Sequence, residues 1–311
     1  FGIDESWIEL TGSPLLKERT PHEIADEIRN TVKSEVGLTV SIGISFNKIF
    51  AKLGSDMKKP DAVTEIGRDT FRDQVWPLPV SDLLYVGRAT AEKLGRYCIR
   101  TIGDLANTER DILRSLLGIN GEKIWAYANG LDASRVMPRD YAPPIKSIGH
   151  GITCTADLVS ESEVRGVFLE LSQDIGLKLR KQGLAANGVR ITVRDNTLSH
   201  RQYQCKLPFP TQSYLEVYDA GIDLFHRRYS WSNNIRSLTI SAIDLISADT
   251  PVQLDLWTDM SKHKRRIRLE ETIEDIRRRF GLHAINFAAA GSMKIPVQSD
   301  IEYKMPSVMY Q

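Results

Sequence analysis

Two adjacent carboxylates, Asp4 and Glu5, are the first residues in the chain whose types could carry chemistry. Carboxylate oxygens are hard ligands that suit Mg²⁺, an ion that usually also keeps water and substrate phosphates. The pattern of residues 1–5 predicts a strand that ends at this pair. Neighbouring strand side chains point to opposite faces, so joint coordination of one ion requires a turn or bulge here. An acidic pair in a solvated turn is the competing interpretation.

A second stretch combines a strand end, a helix start and clustered cations. It runs from Gly43 to Asp61, with Asn47 as a potential helix cap and four lysines after it, one of them Lys59. A helix N-terminus and clustered ammonium groups suit an anionic ligand. An ordinary helix with lysines on its solvated face is the alternative interpretation.

The elements around these residues predict mixed α/β structure followed by an all-helical region. Thr20 and Glu23 have the spacing of a capping box, and apolar residues at every fourth position then continue a helix until Gly37. Residues 38–44 are rich in strand formers. Residues 67–137 read as short helices separated by glycines, which is typical of a small helical domain.

Residues 145–247 predict a sheet with covering helices. Residues 188–194 alternate strictly between apolar and polar side chains, which predicts a strand with one buried face. Arg190 and Arg194 lie on its polar face and suit phosphates, although arginine is common on exposed sheets. The other predicted elements are strands 146–155 and 235–246 and helices 160–182 and 210–229.

The end of the chain carries a short apolar motif and a basic helix. In the apolar motif, residues 253–257, the leucines and the tryptophan can anchor in apolar pockets of a partner while the glutamine hydrogen-bonds at the rim of those pockets. A match over only five residues can also arise by chance. Five cations within residues 262–268 are consistent with DNA contact and equally with a solvated face. A narrow apolar stripe is predicted at Leu269, Ile273, Ile276 and Phe280. The motif consists of Gln253, Leu254, Asp255, Leu256 and Trp257.

Composition excludes some classes of protein and leaves others open. The chain has 311 residues, 41% hydrophobic and 26% charged, with a net charge of +1, so it reads as a globular protein of two to four units without a global basic field. Its three cysteines and six histidines share no metal-ligand spacing. No apolar run reaches membrane-spanning length, and we expect a soluble cytoplasmic protein.

Taken together, these motifs resemble the Y family (UmuC/DinB-like) of translesion DNA polymerases. Residues 3–12 resemble the second catalytic motif, and residues 43–61 are similar to the palm signature. The sequence Ser-Trp-Ile-Glu that follows Glu5 resembles the corresponding sequence in the UmuC-like branch of Gram-positive bacteria and mobile elements. Further similarities are to the thumb helix–hairpin–helix at 83–88, 91–94 and 102–105, to the little-finger opening at 146–149, and to the sliding-clamp pentapeptide at 253–257, with Trp replacing Phe.

The resemblance implies a multidomain α+β fold. Its parts are a partial palm (1–66), an all-helical thumb with a helix–hairpin–helix (67–137), a linker (138–144), a little finger with a four-stranded sheet and two helices (145–247), and a tail with the clamp-binding motif (248–311).

The resemblance also implies error-prone, template-directed nucleotidyl transfer with two Mg²⁺ ions. Asp4 would bridge both ions, Glu5 would bind the ion that activates the primer 3′-hydroxyl, and Lys59 would neutralise the incoming triphosphate. Primer–template DNA, a deoxynucleoside triphosphate and a bacterial sliding clamp are the implied partners of a monomeric enzyme. Tyr85 stands where the hairpin often has its first glycine. The implied DNA contacts are Gly87, Lys146, Ser147, Arg190 and Arg194.

The family also uses an upstream Asp-x-Asp strand and fingers that this sequence does not contain, so we expect it to be a fragment that binds DNA without synthesising it. Two other classes remain open. One is a non-catalytic module that binds DNA and the clamp. The other is a repair glycosylase or nuclease, which the lack of a lone catalytic Asp or Lys after the hairpin and of a cysteine cluster disfavours.

Overall fold

The computed structural model describes Gly2, residues 4–251, 260–281 and 284–287, and Lys294. It divides into two compact units, the first ending at Tyr141 and the second beginning at Ala142. The clamp-like motif at 253–257 lies outside the described residues. Within the described part of the chain, no helix is long and apolar enough to cross a membrane.

The first unit combines a two-stranded parallel sheet with short helices. Strand β1 pairs with β2 in parallel, from Ile42 beside Val63 to Ser45 beside Ile66. Two 3₁₀ turns, Pro14–Lys17 and Val80–Asp82, complete it. The elements are α1 (Pro21–Val36), β1 (Ile42–Ser45), α2 (Lys48–Met57), β2 (Val63–Ile66), α3 (Phe71–Val75), α4 (Arg88–Gly95), α5 (Ile102–Asn107), α6 (Arg110–Leu117) and α7 (Ile119–Ala128).

Local signals specify the ends of α1, as predicted. The Glu23 amide donates to Thr20 Oγ1 at 3.2 Å, and the Thr20 amide donates to Glu23 Oε2 at 2.7 Å, which is a complete capping box. The helix ends at Gly37, whose φ of 73° is the left-handed conformation that glycine adopts without strain.

Helix α2 packs against β1 at a glycine. A Cβ atom on Gly43 would lie 1.9 Å from the Ala51 carbonyl oxygen and 2.5 Å from the Ser55 amide nitrogen. Both are backbone atoms of α2 and cannot rotate away. Only glycine fits at position 43, because the backbones of β1 and α2 are in contact there. Gly43 therefore has a structural role in packing the strand against the helix.

We expect Gly43→Ala to destabilise the first unit by about 1–3 kcal/mol, because the added methyl group overpacks a backbone contact. Urea unfolding measures the change. Gly95→Ala is the matched control, since a Cβ at the end of α4 meets nothing within 4 Å. Equal unfolding midpoints for the two variants would contradict this explanation.

One hydrophobic core runs from the sheet of the first unit into its helices. Phe46, Phe50 and Phe71 form an aromatic cluster, with ring centroids 5.3–6.0 Å apart. The predicted palm and thumb thus share a core, and a domain boundary at residue 66 stays a prediction. The buried members are Ile49, Phe50, Leu53, Ile66, Phe71, Val75, Val80, Leu83, Val86, Leu94, Ile99, Ile102, Leu105, Ala106, Leu113, Ile124 and Ala128.

The second unit is an antiparallel sheet of four strands, ordered β3-β6-β4-β5, as the resemblance implied. Helices α8 and α9 cover one face, and the buried side chains of the strands form the core beneath them. The elements are β3 (Ser147–Leu158), α8 (Glu161–Lys181), β4 (Leu184–Asp195), β5 (His200–Thr211), α9 (Tyr214–Arg228), β6 (Ile235–Ser247) and α10 (Met260–Phe280).

The prediction of a helix over residues 210–229 was wrong at its start. Strand β5 pairs with β4 as far as Thr211, and α9 begins only at Tyr214, where the Ser213 side chain caps it. Because β5 is the edge strand, it tolerates Pro208 and Pro210, which cannot donate to a central ladder.

The predicted apolar stripe on α10 is half-buried at Ile273 and Ile276 and exposed at its two ends. Leu269 is 52% exposed and Phe280 is 72% exposed, so these residues do not dock the helix. The fully buried residue of this helix is instead Glu270. Helix α10 is therefore held on the second unit by polar contacts that a hydropathy pattern does not reveal.

Candidate functional site

Asp4 and Glu5 begin an irregular segment over residues 4–10, while residues 1 and 3 of the predicted strand lie outside the described residues. Asp4 is exposed in a bend. The Glu5 side chain is 35% exposed, and its Oε1 lies 3.0 Å from Lys52 Nζ on α2.

A chain of ion pairs connects Glu5 to Lys59. Lys52 Nζ also lies 2.6 Å from Asp56 Oδ2, and Asp56 Oδ1 lies 2.7 Å from Lys59 Nζ. Glu5 and Lys59, two of the predicted site residues, therefore lie at the ends of one network. Sequence reasoning missed the two residues between them, although their i, i+4 spacing on a helix is the usual signal of an ion pair.

The protonation of this network follows from its contacts. Burial lowers the pKa of Lys52, but its hydrogen bonds to Asp56 and Glu5 outweigh burial and leave the pKa raised. Burial raises the pKa of Asp56, but the hydrogen bonds from Lys52 and Lys59 outweigh burial and leave that pKa lowered. Lys52 is thus a cation and Asp56 an anion at neutral pH.

Asp61 holds the loop that follows Lys59 against α1. Its carboxylate pairs with Arg29 Nη1 at 2.8 Å and with Lys33 Nζ at 2.6 Å. Hydrogen bonds from Lys33 and Arg29 lower the pKa of Asp61. The pairs therefore restrict where Lys59 can lie.

The start of α2 is tied to segments on either side of it in the chain. Trp7 Nε1 donates to the Lys48 carbonyl oxygen at 3.1 Å, and Lys48 Nζ lies 5.4 Å from the Trp7 ring centroid. Lys48 Nζ also donates to the Arg135 carbonyl oxygen at 3.0 Å. Asn47 caps α2 as predicted, accepting from the Phe50 amide at 2.8 Å. These contacts place the segment of Asp4 and Glu5 beside α2.

The donor set fits a hard divalent cation only in part. Asp4 and Glu5 offer carboxylate oxygens of the kind that Mg²⁺ prefers. No group of three or more His, Cys, Asp or Glu residues that could hold a metal occurs within the described ranges. Asp4 and Glu5 would supply two ligands of such a site, which needs at least one more.

The turn before α4 contains a residue in the left-handed conformation, and the helix–hairpin–helix assignment stays a prediction. Tyr85 adopts φ 72°, the left-handed conformation that favours glycine, at the position where the family often has one. Its ring lies 5.8 Å from that of Tyr127. Gly87 is the N-cap of α4, and a Cβ there meets nothing within 4 Å.

The second unit presents a polar sheet face opposite α8 and α9. Val189, Ile191 and Val193 are buried under the helices, so Arg190 and Arg194 point to the other face. Three rows of paired residues cross this face, and none of their twelve positions is a carboxylate. The rows are Gly149–Ser241–Arg190–Gln204, Gly151–Thr239–Thr192–Gln202 and Thr153–Ser237–Arg194–His200.

Glycines flatten this sheet face near β3. A Cβ on Gly149 would lie 2.3 Å from Ser241 Oγ, and one on Gly151 would lie 2.2 Å from Thr239 Oγ1. Hydroxyl groups thus occupy the space where side chains would stand. Ser147 is exposed at the start of β3, and Lys146 is exposed just before it.

Sequence reasoning missed the contribution of β5 to this face. Gln202, Gln204 and Lys206 are exposed, while Tyr203 and Cys205 between them are partly buried against the core. The same alternation that revealed β4 would have revealed β5.

Comparisons with known proteins point to one family. Residues 1–56 match the impB/mucB/samB family, and residues 145–256 match the impB/mucB/samB family C-terminal domain. The chain is 41% identical over 285 residues to DNA polymerase IV of Acetivibrio thermocellus, covering 92% of this chain and 71% of that protein. It is 33% identical over 287 residues to DNA polymerase IV of Clostridium kluyveri, covering 90% of this chain and 70% of that protein.

The fold comparison agrees. A Y-family DNA polymerase chimera of Dbh and Dpo4 superposes with a TM-score of 0.59 at 18% identity, covering 72% of this chain and 64% of that chain. The assignment to a UmuC-like branch stays a prediction. A candidate metal-ligand pair beside α2, a four-stranded sheet with a carboxylate-free face and extensive identity to DNA polymerase IV lead to one conclusion: the chain belongs to the Y family of translesion DNA polymerases.

Proposed function

We propose that these residues serve template-directed DNA synthesis past damaged template positions, as part of a DNA-directed DNA polymerase. The observation that carries the proposal is the ion-pair network from Glu5 to Lys59. It places a candidate metal ligand and a candidate triphosphate ligand on neighbouring parts of the first unit. Identity of 41% to a DNA polymerase IV supports the same activity.

The reaction is in-line attack of a primer 3′-hydroxyl on the α-phosphate of a nucleotide, with pyrophosphate as the leaving group. Two Mg²⁺ ions, when bound, activate the hydroxyl and stabilise the leaving oxygens. Asp4 and Glu5 supply carboxylate ligands for them, and a further ligand comes from outside the described residues. The Lys59 ammonium neutralises the triphosphate, since its side chain is more than half exposed while Asp56 holds it.

We propose that the sheet face of the second unit, as the little finger, and the hairpin before α4, in the thumb, bind primer–template DNA. Arg190 and Arg194 contact phosphates, and Lys146 and Ser147 extend the same surface at the start of β3. Gly87 lets the backbone approach a phosphate at the first turn of α4. The absence of carboxylates from the three rows of the face removes like-charge repulsion of DNA.

Arg190→Gln combined with Arg194→Gln is expected to weaken DNA binding and to lower the salt dependence. Each lost phosphate contact reduces the slope of log K against log salt by about 0.9 for duplex DNA. Fluorescence anisotropy from 50 to 300 mM salt measures both. Arg201→Gln is the control, because Arg201 stands opposite Val193 on the helix-covered side. An unchanged slope in the double variant would contradict the assigned surface.

Two further partners belong to the proposal. The motif Gln253–Trp257 binds the bacterial sliding clamp through its leucines and its tryptophan, which tethers an otherwise weakly processive enzyme to DNA. The enzyme works as a monomer in the cytoplasm, where the chromosome and nucleotides are found. The alternative is a non-catalytic module that binds DNA and the clamp. It is favoured by the lack of a three-carboxylate cluster among the described residues.

Primer extension distinguishes the polymerase from the alternative. The full-length protein is compared with its Asp4→Ala, Glu5→Ala double variant, on a labelled primer–template with Mg²⁺ and all four nucleotides. We expect extension by the first and none by the second. Equal extension by the protein and its double variant would show that these carboxylates do not take part in the mechanism. DNA and clamp binding without primer extension by either protein would favour the non-catalytic binding module.

A further inference from the structure

Lys52 and Asp56 are placed between two groups that the proposed mechanism uses. They lie one helical turn apart on α2 and pair with each other at 2.6 Å. Lys52 reaches back to Glu5 at 3.0 Å, and Asp56 reaches on to Lys59 at 2.7 Å. Each therefore touches one residue that would contact metal or nucleotide, and each is anchored on the same helix.

The burial of Lys52 separates it from ordinary surface lysines. Its side chain is only 15% exposed, although an ammonium group loses hydration when it is buried. Two carboxylates, one of them distant in the chain, compensate for that loss. By contrast, the i, i+4 pair of Arg88 and Glu92 on α4 is exposed at both ends. A partly buried cation shared by two carboxylates fixes their positions more firmly than an exposed pair does.

Asp56 uses its two carboxylate oxygens for two different lysines. Oδ2 accepts from Lys52 and Oδ1 faces Lys59. Because Lys52 is held by Glu5 as well, the orientation of the Asp56 carboxylate depends on the position of Glu5. The network thus couples the candidate metal ligand to the candidate triphosphate ligand through α2.

We propose that Lys52 and Asp56 are positioning residues of the nucleotidyl-transfer site. Lys52 orients the Glu5 carboxylate toward the metal, and Asp56 orients the Lys59 ammonium toward the triphosphate. The inference rests on the proposed roles of Glu5 and Lys59, and it adds two residues that act through them. Groups that orient metal ligands typically change metal affinity or activity about 10- to 100-fold when removed.

The test compares Lys52→Met, Lys52→Arg and Asp56→Asn in the full-length protein. Lys52→Met is expected to lower kcat about 10- to 100-fold and to weaken Mn²⁺ binding, measured by electron paramagnetic resonance without DNA or nucleotide, by about 10-fold. Lys52→Arg keeps a cation and should recover most of both. Asp56→Asn should raise KM for nucleotide about 10-fold while kcat changes less.

Lys123→Met is the matched control, because Lys123 is an exposed lysine on α7 of the same unit. The inference is overturned if Lys52→Met matches this control in Mn²⁺ affinity and kcat, or if Asp56→Asn leaves KM unchanged. Lys52→Arg and Asp56→Asn keep the test decisive if Lys52→Met does not fold. Loss of extension in the Asp4 and Glu5 variants together with normal Lys52 and Asp56 variants defeats only this inference. Full extension by the Asp4 and Glu5 variants defeats the proposed function itself.

Discussion

Glu5→Gln is expected to slow primer extension about 1,000-fold while leaving DNA affinity nearly unchanged. Glutamine keeps the size of the side chain and an oxygen that can accept from Lys52, but it loses the charge that binds a divalent cation. Loss of about 4 kcal/mol of transition-state stabilisation corresponds to that factor. Single-nucleotide insertion under single-turnover conditions measures the rate, and anisotropy on the same primer–template measures affinity.

Glu9→Gln is the control for that experiment, since Glu9 is an exposed carboxylate in the same irregular segment. It should extend primers at the wild-type rate. Asp4→Asn should resemble Glu5→Gln, because both residues are proposed to bind metal. A Glu5→Gln enzyme that retains more than about a tenth of the rate would show that this carboxylate is not a ligand.

Glu270→Ala is expected to loosen α10 from the second unit and to cost about 3 kcal/mol of stability. The Glu270 carboxylate accepts from Ser213 Oγ at 2.6 Å and from the amides of Tyr214 and Leu215 at 3.0 and 3.2 Å. It also pairs with Arg180 at 3.2 Å. Removing one partner of a buried network leaves the others unsatisfied, which costs about 3–5 kcal/mol. We take the lower end because Arg180 keeps its pair with Glu274.

Two features make Glu270 unusual among the acidic residues of the second unit. It is completely buried, and its carboxylate lies at the N-terminus of α9, where the helix dipole favours a negative charge. Burial raises the pKa of Glu270, while the hydrogen bonds from Ser213 and the two amides act against that rise. The carboxylate is therefore stabilised by specific contacts that an alanine cannot replace.

Urea unfolding and hydrogen exchange of peptides from α9 and α10 measure the effect of Glu270→Ala. We expect earlier unfolding, and faster exchange confined at first to α10 and the first turn of α9. Glu271→Ala is the matched control, because Glu271 is the exposed neighbour on the same helix and should change stability by less than about 0.5 kcal/mol. Equal effects of the two substitutions would show that the buried carboxylate does not hold α10.

The regions where sequence and structure agree have short-range signals. The capping box of Thr20 and Glu23 and the cap at Asn47 involve residues three apart, so they can be recognised without a fold. The alternation over 188–194 reports a strand with one buried face for the same reason. The start of α9 was missed because the pairing of β5 with β4 extends the strand through Pro210.

From the chain alone one can name Asp4 and Glu5 as candidate metal ligands by their residue types, and Lys59 as a candidate triphosphate ligand by the family resemblance of the stretch around it. Folding determines that Glu5 and Lys59 are joined through Lys52 and Asp56, and that Glu270 of α10 is buried against the start of α9. Burial of a charged side chain is favourable only when partners from distant parts of the chain meet it. A local hydropathy pattern does not reveal contacts between residues that are distant in the chain. Helix capping and strand alternation can be recognised from sequence because they involve residues only a few positions apart.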